Sequence, residues 1–243
     1  MNLTYNGHDL TTLFTCGDPE ITILDSTPDN REVSGRNGAA FVGMKYGVPS
    51  VACTIAAFGT PSERRAKFST LGQWLMVDEP KPLYLPDTPD RYYLAVPSGA
   101  LQLTRGFDGE TATLTFELTD PVAYGEQKTI TLPSRGSITF TVGGTAPTYF
   151  YRDLAAIGTP DASTLRYGIR LDHSQTWCAT HNSTSNLRVG PFDFEKRSLM
   201  VDGVVAVPTL DSDWFALTPG EHTLEMYLGG GTNMWFKYRE RWY

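Results

Sequence analysis

The sequence predicts a mainly β protein of two domains, with a single α-helix in the first. Three observations predict it. The 23 Gly and 16 Pro residues are scattered as single breaks between short runs, which suits many strands joined by turns. Those runs alternate apolar and polar residues with a period of two and are rich in β-branched and aromatic side chains. Only one stretch carries both the start signal and the spacing of a helix. A hydrophobic content of 40% with 19% charged residues describes a chain able to bury a core, and 243 residues suffice for one large β domain or two ordinary ones.

In chain order, Leu3 to Tyr5, Leu10 to Phe14 and Ile21 to Asp25 read as short strands. From Asp25 to Gly38 the composition turns polar and rich in turn formers, which predicts an exposed arm or loop. Ala39 to Tyr46 and Val48 to Phe58 follow as strands, and the run SVACTIAAF, nearly all apolar or small, predicts a strand buried on both faces. Thr60-Pro61-Ser62-Glu63 fits a capping box: Thr60 at the N-cap, Pro61 in the first helical position, Glu63 reaching back to the cap. Phe68, Leu71 and Leu75 then form one apolar stripe suited to packing on a sheet, and Asp78-Glu79-Pro80 is expected to end the helix. Pro82 to Leu85, Tyr92 to Pro97 and Ala100 to Arg105 read as further strands.

The stretch ATLTFELTDPVAYG, residues 112–125, marks the seam of the chain. Its first half alternates as a half-buried strand. Asp120-Pro121 then stops it, because proline has no N–H to give a ladder and Asp caps a turn with its own side chain. This places the boundary near residue 126, giving domains over 1–126 and 127–243. Beyond it strands are expected at Thr129 to Leu132, Ser137 to Val142, Thr148 to Tyr151, Leu165 to Leu171, Leu187 to Val189, Ser198 to Val201, Glu221 to Leu228 and Asn233 to Arg241. Many short strands at such intervals predict a β-sandwich or jelly roll.

Twenty basic against 27 acidic residues give a formal net charge of −7. Residues 1–130 hold 10 basic and 16 acidic residues, and 131–243 hold 10 and 11, so the acidity lies in the first half. A protein that grips nucleic acid by its phosphates needs a basic patch, and none is visible. Cys16, Cys53 and Cys178 have no metal-like spacing and do not suggest a disulfide framework. The opening MNLTYNGHDL lacks the basic and apolar regions of a signal peptide, so synthesis and folding in a cytoplasm are expected.

Catalytic chemistry is hard to find. His8 and His222 stand alone, and His173 and His181 flank Cys178 in DHSQTWCATH with a spacing that suits no zinc motif; that stretch reads as a polar loop. No nucleophile elbow or phosphate-cradling loop occurs, and the carboxylates Asp172, Asp193, Asp211 and Asp213 pair no better than chance. Neither a metal nor a cofactor is expected, and the chain reads as a non-enzyme. Trp177, Trp214, Trp235, Tyr149, Tyr151 and Tyr238 suit a sandwich core, while Trp242 and Tyr243 at the terminus suit an interface or a rim.

The seam also carries a resemblance. A strand ending in an aromatic residue, a polar step, then Asp120-Pro121 and Ala123-Tyr124-Gly125 resembles the end of the N-terminal domain of the distal tail proteins of long-tailed bacteriophages. Gly35-Arg36-Asn37-Gly38 is similar to that family's Gly-Arg-small motif, and the spacing of Trp74-Leu75, Leu83-Tyr84-Leu85 and Tyr92-Tyr93-Leu94-Ala95-Val96 matches its pattern. Phe215 to His222 before two final strands is similar to its C-terminal galectin-like sandwich. The resemblance implies an N-terminal β-sandwich-like domain with one helix and an arm wrapping a neighbouring subunit. It also implies a hexameric ring at the virion tail tip, between the tail-tube protein and the tip or receptor-binding proteins. DNA would pass through the lumen unbound, and no membrane would be entered. The alternative expectation is a carbohydrate-binding sandwich that contributes to host-surface recognition.

Overall fold

The computed structural model of the chain describes residues 2–22, 26–32, 34–35, 37–106, 108–153, 156–159, 161–162, 166–180, 187–206, 209–210, 212–231 and 233–243. Two compact units divide it, Met1–Ala123 and Tyr124–Tyr243.

The first unit contains β1 (Thr4–Tyr5), β2 (His8–Asp9), β3 (Thr15–Cys16), β4 (Glu20–Thr22), β5 (Ser26–Glu32), β6 (Ala39–Tyr46) and β7 (Ser50–Phe58). Helix α1 (Pro61–Leu75) follows, then β8 (Lys81–Leu85), β9 (Thr88–Ser98), β10 (Thr104–Arg105) and β11 (Gly109–Leu118). An antiparallel ladder from Gly109↔Phe58 to Glu117↔Ser50 joins β11 to β7. β11 pairs also with β9, β9 with β8, β8 with β1 and β1 with β2, while β3 and β4 add to the other edge of β7. The core gathers Leu3, Tyr5, Phe14, Val51, Ile55, Leu83, Leu114 and Phe116.

Three sequence expectations are corrected here. β7 is buried on one face only: Val51, Cys53, Ile55 and Ala57 point inward, whereas Thr54 and Phe58 are exposed. The run looked continuous because its outward residues, Ser50, Ala52 and Ala56, are small rather than charged. Leu10–Thr12 is a 3-10 turn and not a strand, because the Asp9 carboxylate accepts from the Thr11 backbone N–H at 2.9 Å and caps it. Only Thr104–Arg105 of the strand expected at 100–105 forms. The Asp25 end of the third expected strand lies outside the described residues.

Helix α1 has the reciprocal cap its sequence announces. Thr60 Oγ1 accepts from the Glu63 backbone N–H, and Glu63 Oε2 accepts from the Thr60 N–H at 2.7 Å. The helix ends at Leu75, with Met76 turning extended at ψ 94°, three residues before Asp78. Leu71 is buried, and Phe68, Trp74 and Leu75 pack on the same core, with the Phe68 ring 5.1 Å from that of Phe14.

The second unit contains β12 (Ala123–Leu132), β13 (Ser137–Val142), β14 (Tyr151–Arg152), β15 (Ala156–Thr159), β16 (Arg166–Leu171) and β17 (Gln175–Thr180). It continues with β18 (Leu187–Asp193), β19 (Ser198–Val201), β20 (Val204–Val205), β21 (Gly220–Leu228), β22 (Gly230–Gly231) and β23 (Met234–Trp242). One antiparallel sheet runs β13-β21-β16-β17. Facing it, β12 pairs with β23, β23 with β14, β14 with β18, β18 with β19 and β19 with β20. Val142, Tyr167, Ile169, Trp177 and Leu224 of the first sheet meet Leu132, Phe192, Leu199, Phe236 and Tyr238 of the second across one core, which is the sandwich expected. Phe150 sits among five rings of that core, those of Phe140, Phe194, Phe215, Phe236 and Tyr238.

β17 is a correction too. Residues 175–180, read as a polar loop, form a full strand paired with β16 from Leu171↔Gln175 to Arg166↔Thr180, and Trp177 and Cys178 are buried. The turn before it is held by a buried histidine. His222 Nδ1 lies 2.6 Å from Asp172 Oδ2 and its Nε2 lies 2.7 Å from the Thr218 carbonyl; Asp172 Oδ1 accepts from the Thr223 N–H at 2.8 Å. Partial burial would push the Asp172 carboxyl up, but the Thr223 N–H and the His222 ring outweigh it and hold it below its ordinary value of 3.8.

Two stability outcomes follow from these contacts. Thr60→Ala removes one half of the cap and is expected to lower the melting temperature of the first unit by about 2–4 °C, read by circular dichroism. For Asp172 the folded pKa is depressed, so its contribution is complete above 3.8 and is lost as pH falls through the lower folded value. Asp172→Asn should therefore cost about 0.5–1 kcal/mol at neutral pH, because solvent screens the partly exposed carboxylate, with the variant and wild-type curves converging in strong acid. Urea unfolding over a pH series would check it; a gap that stays constant into acid would show that the carboxylate charge contributes nothing.

Candidate assembly surfaces

One exposed element of the first unit is a hairpin. β5 and β6 pair antiparallel from Ser26↔Tyr46 to Glu32↔Ala39, with a bulge between Asp29 and Asn30, and form a sheet of two strands only. No residue whose burial is described in either strand is buried. Phe41, Val42 and Met44 are 65%, 59% and 40% exposed. Lys45 and Asp29 make an ion pair across the strands at 3.4 Å, with both side chains largely in solvent. The polar stretch 26–32 is thus a strand and not a loop. Gly35 and Gly38 lie in the turn between the strands with φ of 81° and 87°, a conformation that glycine adopts without penalty. Asn37 is exposed beside them, and Arg36 of the same motif lies outside the described residues.

Such a hairpin does not support itself. Two strands with neither face covered are marginal in water, and both outer edges present unpaired backbone groups. Pro28 removes one donor from β5, but the exposed apolar side chains of β6 remain a surface suited to another chain.

The residues singled out at the seam do different work. Asp120 Oδ1 accepts from the Val122 N–H at 3.3 Å, closing a turn around Pro121 between Leu118 and Ala123. Ala123 and Tyr124 are buried. Within the second unit the Tyr124 ring lies 5.0 Å from the Arg241 guanidinium, whose Nη2 donates to the Tyr124 hydroxyl at 3.4 Å and also pairs with Glu195 Oε2 at 2.5 Å. Gly125 leaves the space that the Trp242 indole fills: a Cβ there would stand 2.9 Å from two ring atoms. Trp242 therefore packs against its own chain. Tyr243, 72% exposed, is tied only by its N–H to Thr145 Oγ1 at 2.9 Å among the bonds described.

The other polar candidates are occupied structurally. His8 stacks on Trp74 with ring centres 4.5 Å apart, and His173 faces Glu225 at 3.3 Å. Asp193 caps the turn after β18 by accepting from the Glu195 and Lys196 N–H groups. His181, Asp211 and the sequon Asn182-Ser183-Thr184 lie outside the described residues. Among the described residues no group of three His, Cys, Asp or Glu could hold a metal. Trp177 and Tyr238 are buried, Tyr149 and Trp214 pack on the same core, and Trp235 lies under the buried Arg152 guanidinium at 4.3 Å. No described helix is long and apolar enough to cross a membrane.

Sequence reasoning missed two clusters. One is the Asp172–His222 clamp; the other joins Arg64, Arg105 and Glu110, with Nε atoms of both arginines 3.7 and 3.5 Å from Glu110 Oε1. Asp172 and His222 are 50 positions apart and Arg64 and Glu110 are 46 apart, which leaves no local motif; Arg105 and Glu110 are only five apart, but face each other through the β10–β11 register.

Residues 143–242 match the family model of the siphovirus-type tail component, C-terminal domain. No curated protein sequence matches the chain. Among solved structures it is similar to the Dit (gp 19.1) protein of phage SPP1, a hub of the adsorption apparatus of phages that infect Gram-positive bacteria. The TM-score is 0.70 at 19% identity, covering 99% of this chain and 98% of that one. A chain of the phage P2 baseplate in its activated conformation aligns at a TM-score of 0.44 and 10% identity, over 97% of this chain and 93% of that one. Residues 143–242 are therefore similar to the C-terminal domain of the siphovirus-type tail component, and the chain as a whole has the fold of the SPP1 Dit protein.

Proposed function

We propose that this chain is the distal tail hub of a long-tailed bacteriophage or prophage, joining the tail tube to the tip or baseplate that adsorbs to the host. The observation that carries the reading is the likeness of both units, in one chain, to a hub protein's fold over 99% of the length. The exposed hairpin supplies a physical means of assembly. In this reading the first units form a ring of six, and the arm from Ser26 to Tyr46 lies on the neighbouring subunit, with Gly35, Asn37 and Gly38 at its tip and the Gly35-Arg36-Asn37-Gly38 motif taking part in the contact. The second units face outward and hold tip or receptor-binding proteins, for which Tyr243 offers an exposed ring. The chain acts by assembly and position in the virion, not by catalysis.

Charge fits that role. Residues 1–123 carry nine Lys and Arg against fifteen Asp and Glu, so a ring built from them repels a DNA duplex passing through it more than it holds it.

Molar mass by light scattering, with negative-stain images of any large species, tests the ring. The wild-type chain, alone or mixed with its tube and tip neighbours, is expected to give an annular species at a multiple of 26.9 kDa. Replacing residues 27–45 with a short Gly-Ser turn should leave both units folded and abolish the annulus. An undiminished ring in that variant would remove the arm from the interface, and failure to form an annulus with any neighbour would remove the hub reading itself.

A further inference from the structure

A second surface of the first unit is built for a ligand of a definite kind. Arg64, Arg65, Arg105 and Glu110 line a cavity of about 260 Å³ whose apolar wall is made by Phe68 and Leu103. Arg64 and Arg105 both approach the one carboxylate and Arg65 lines the same cavity, in a unit where acidic residues outnumber basic ones. Three of its nine Lys and Arg residues are gathered at this one place. Like charges crowded together repel, and Arg64 and Arg65 sit in the first turns of α1, where the helix dipole disfavours cations.

The single carboxylate does not satisfy it. Arg64 Nη1 donates to the Gly59 carbonyl at 2.7 Å. Its Nε is shut away from water with no hydrogen-bond partner, facing Glu110 Oε1 at 3.7 Å. Arg105 Nε approaches the same oxygen at 3.5 Å, and its side chain is otherwise in solvent. A buried N–H left unpaired is unfavourable, and a guanidinium presents its donors as a planar fork that matches a carboxylate.

We propose that this cavity receives a second carboxylate, the acidic side chain of a neighbouring protein chain, which lies between Arg64, Arg65 and Arg105 beside Glu110. The space is large enough for an acidic side chain, and the acidic balance of the unit discourages a polyanion. The source of the carboxylate rests on the assembly reading above; the chemistry of the cavity does not.

The test uses the full chain with ¹⁵N-arginine and glutarate as the carboxylate probe, at ionic strength held constant with chloride. The Arg64 and Arg105 Nε–H signals are expected to shift and saturate with glutarate. Arg105→Gln should weaken the apparent affinity about tenfold, while Glu110→Gln should strengthen it, because a competing carboxylate is gone. A merely structural role for Glu110 would not produce that gain. Saturation by inorganic phosphate with no response to glutarate, no saturable shift with either, or an unchanged affinity in Arg105→Gln would each overturn the proposal. Glutarate binding by a chain that forms no annulus with any neighbour would keep the cavity's chemistry while sinking the hub reading.

Discussion

The first unit depends on β7. This one strand is paired along its whole length with β11 on one side and with β3 and β4 on the other. Its register is fixed by alternation: a slip of one residue would exchange Val51, Cys53, Ile55 and Ala57 for Ser50, Ala52, Thr54 and Ala56 in the core. The consequence reaches the arm. β4 pairs Glu20↔Ala52, Ile21↔Val51 and Thr22↔Ser50, so the chain entering the arm and the chain leaving it are clamped to each other by the same ladder. Helix α1 begins three residues after the same strand, so the cap at Thr60 and the cavity beside Arg64 take their positions from it as well.

The second unit closes by a similar economy, with its first strand paired to its last. Gly125 and Gly144 are both needed where β23 comes close. The Trp242 indole occupies the place of a side chain at Gly125, and the Arg241 carbonyl occupies it at Gly144, whose φ is 91°. Glu240 then fixes the strand by accepting from the Gly143 N–H and the Lys128 ammonium, each at 2.6 Å. The Tyr-Gly of the seam is therefore a closure device of the sandwich, buried by its own terminus.

Legibility followed locality. The cap of α1 is written in four consecutive residues and was read to the residue; its end was placed at the strong breaker Pro80, although the chain had already turned extended at Met76. β13 alternates cleanly, and both it and β19 have the bounds that the sequence predicts. β17 was missed because a strand with a buried Trp177 next to a buried Cys178 breaks the period-two pattern and its flanks are polar. The arm's composition revealed exposure but not pairing, since a strand that buries nothing has no alternation to show. The His222 clamp and the approach of Arg64 on α1 to Glu110 on β11 depend on how distant elements are brought together, which composition does not encode.

That last point bears on assembly. An element that shields no apolar surface within its own unit gains little free energy from its own order, so the energy that fixes the arm has to come from what it touches. The same holds for the guanidinium cavity, which is electrostatically incomplete alone. In the hub reading these two surfaces are the parts of the first unit whose stability belongs to the assembly. Order in the arm is then tied by mass action to the concentration of neighbours, and the sheet around β7 supplies the rigid frame that keeps both surfaces in place until a neighbour arrives.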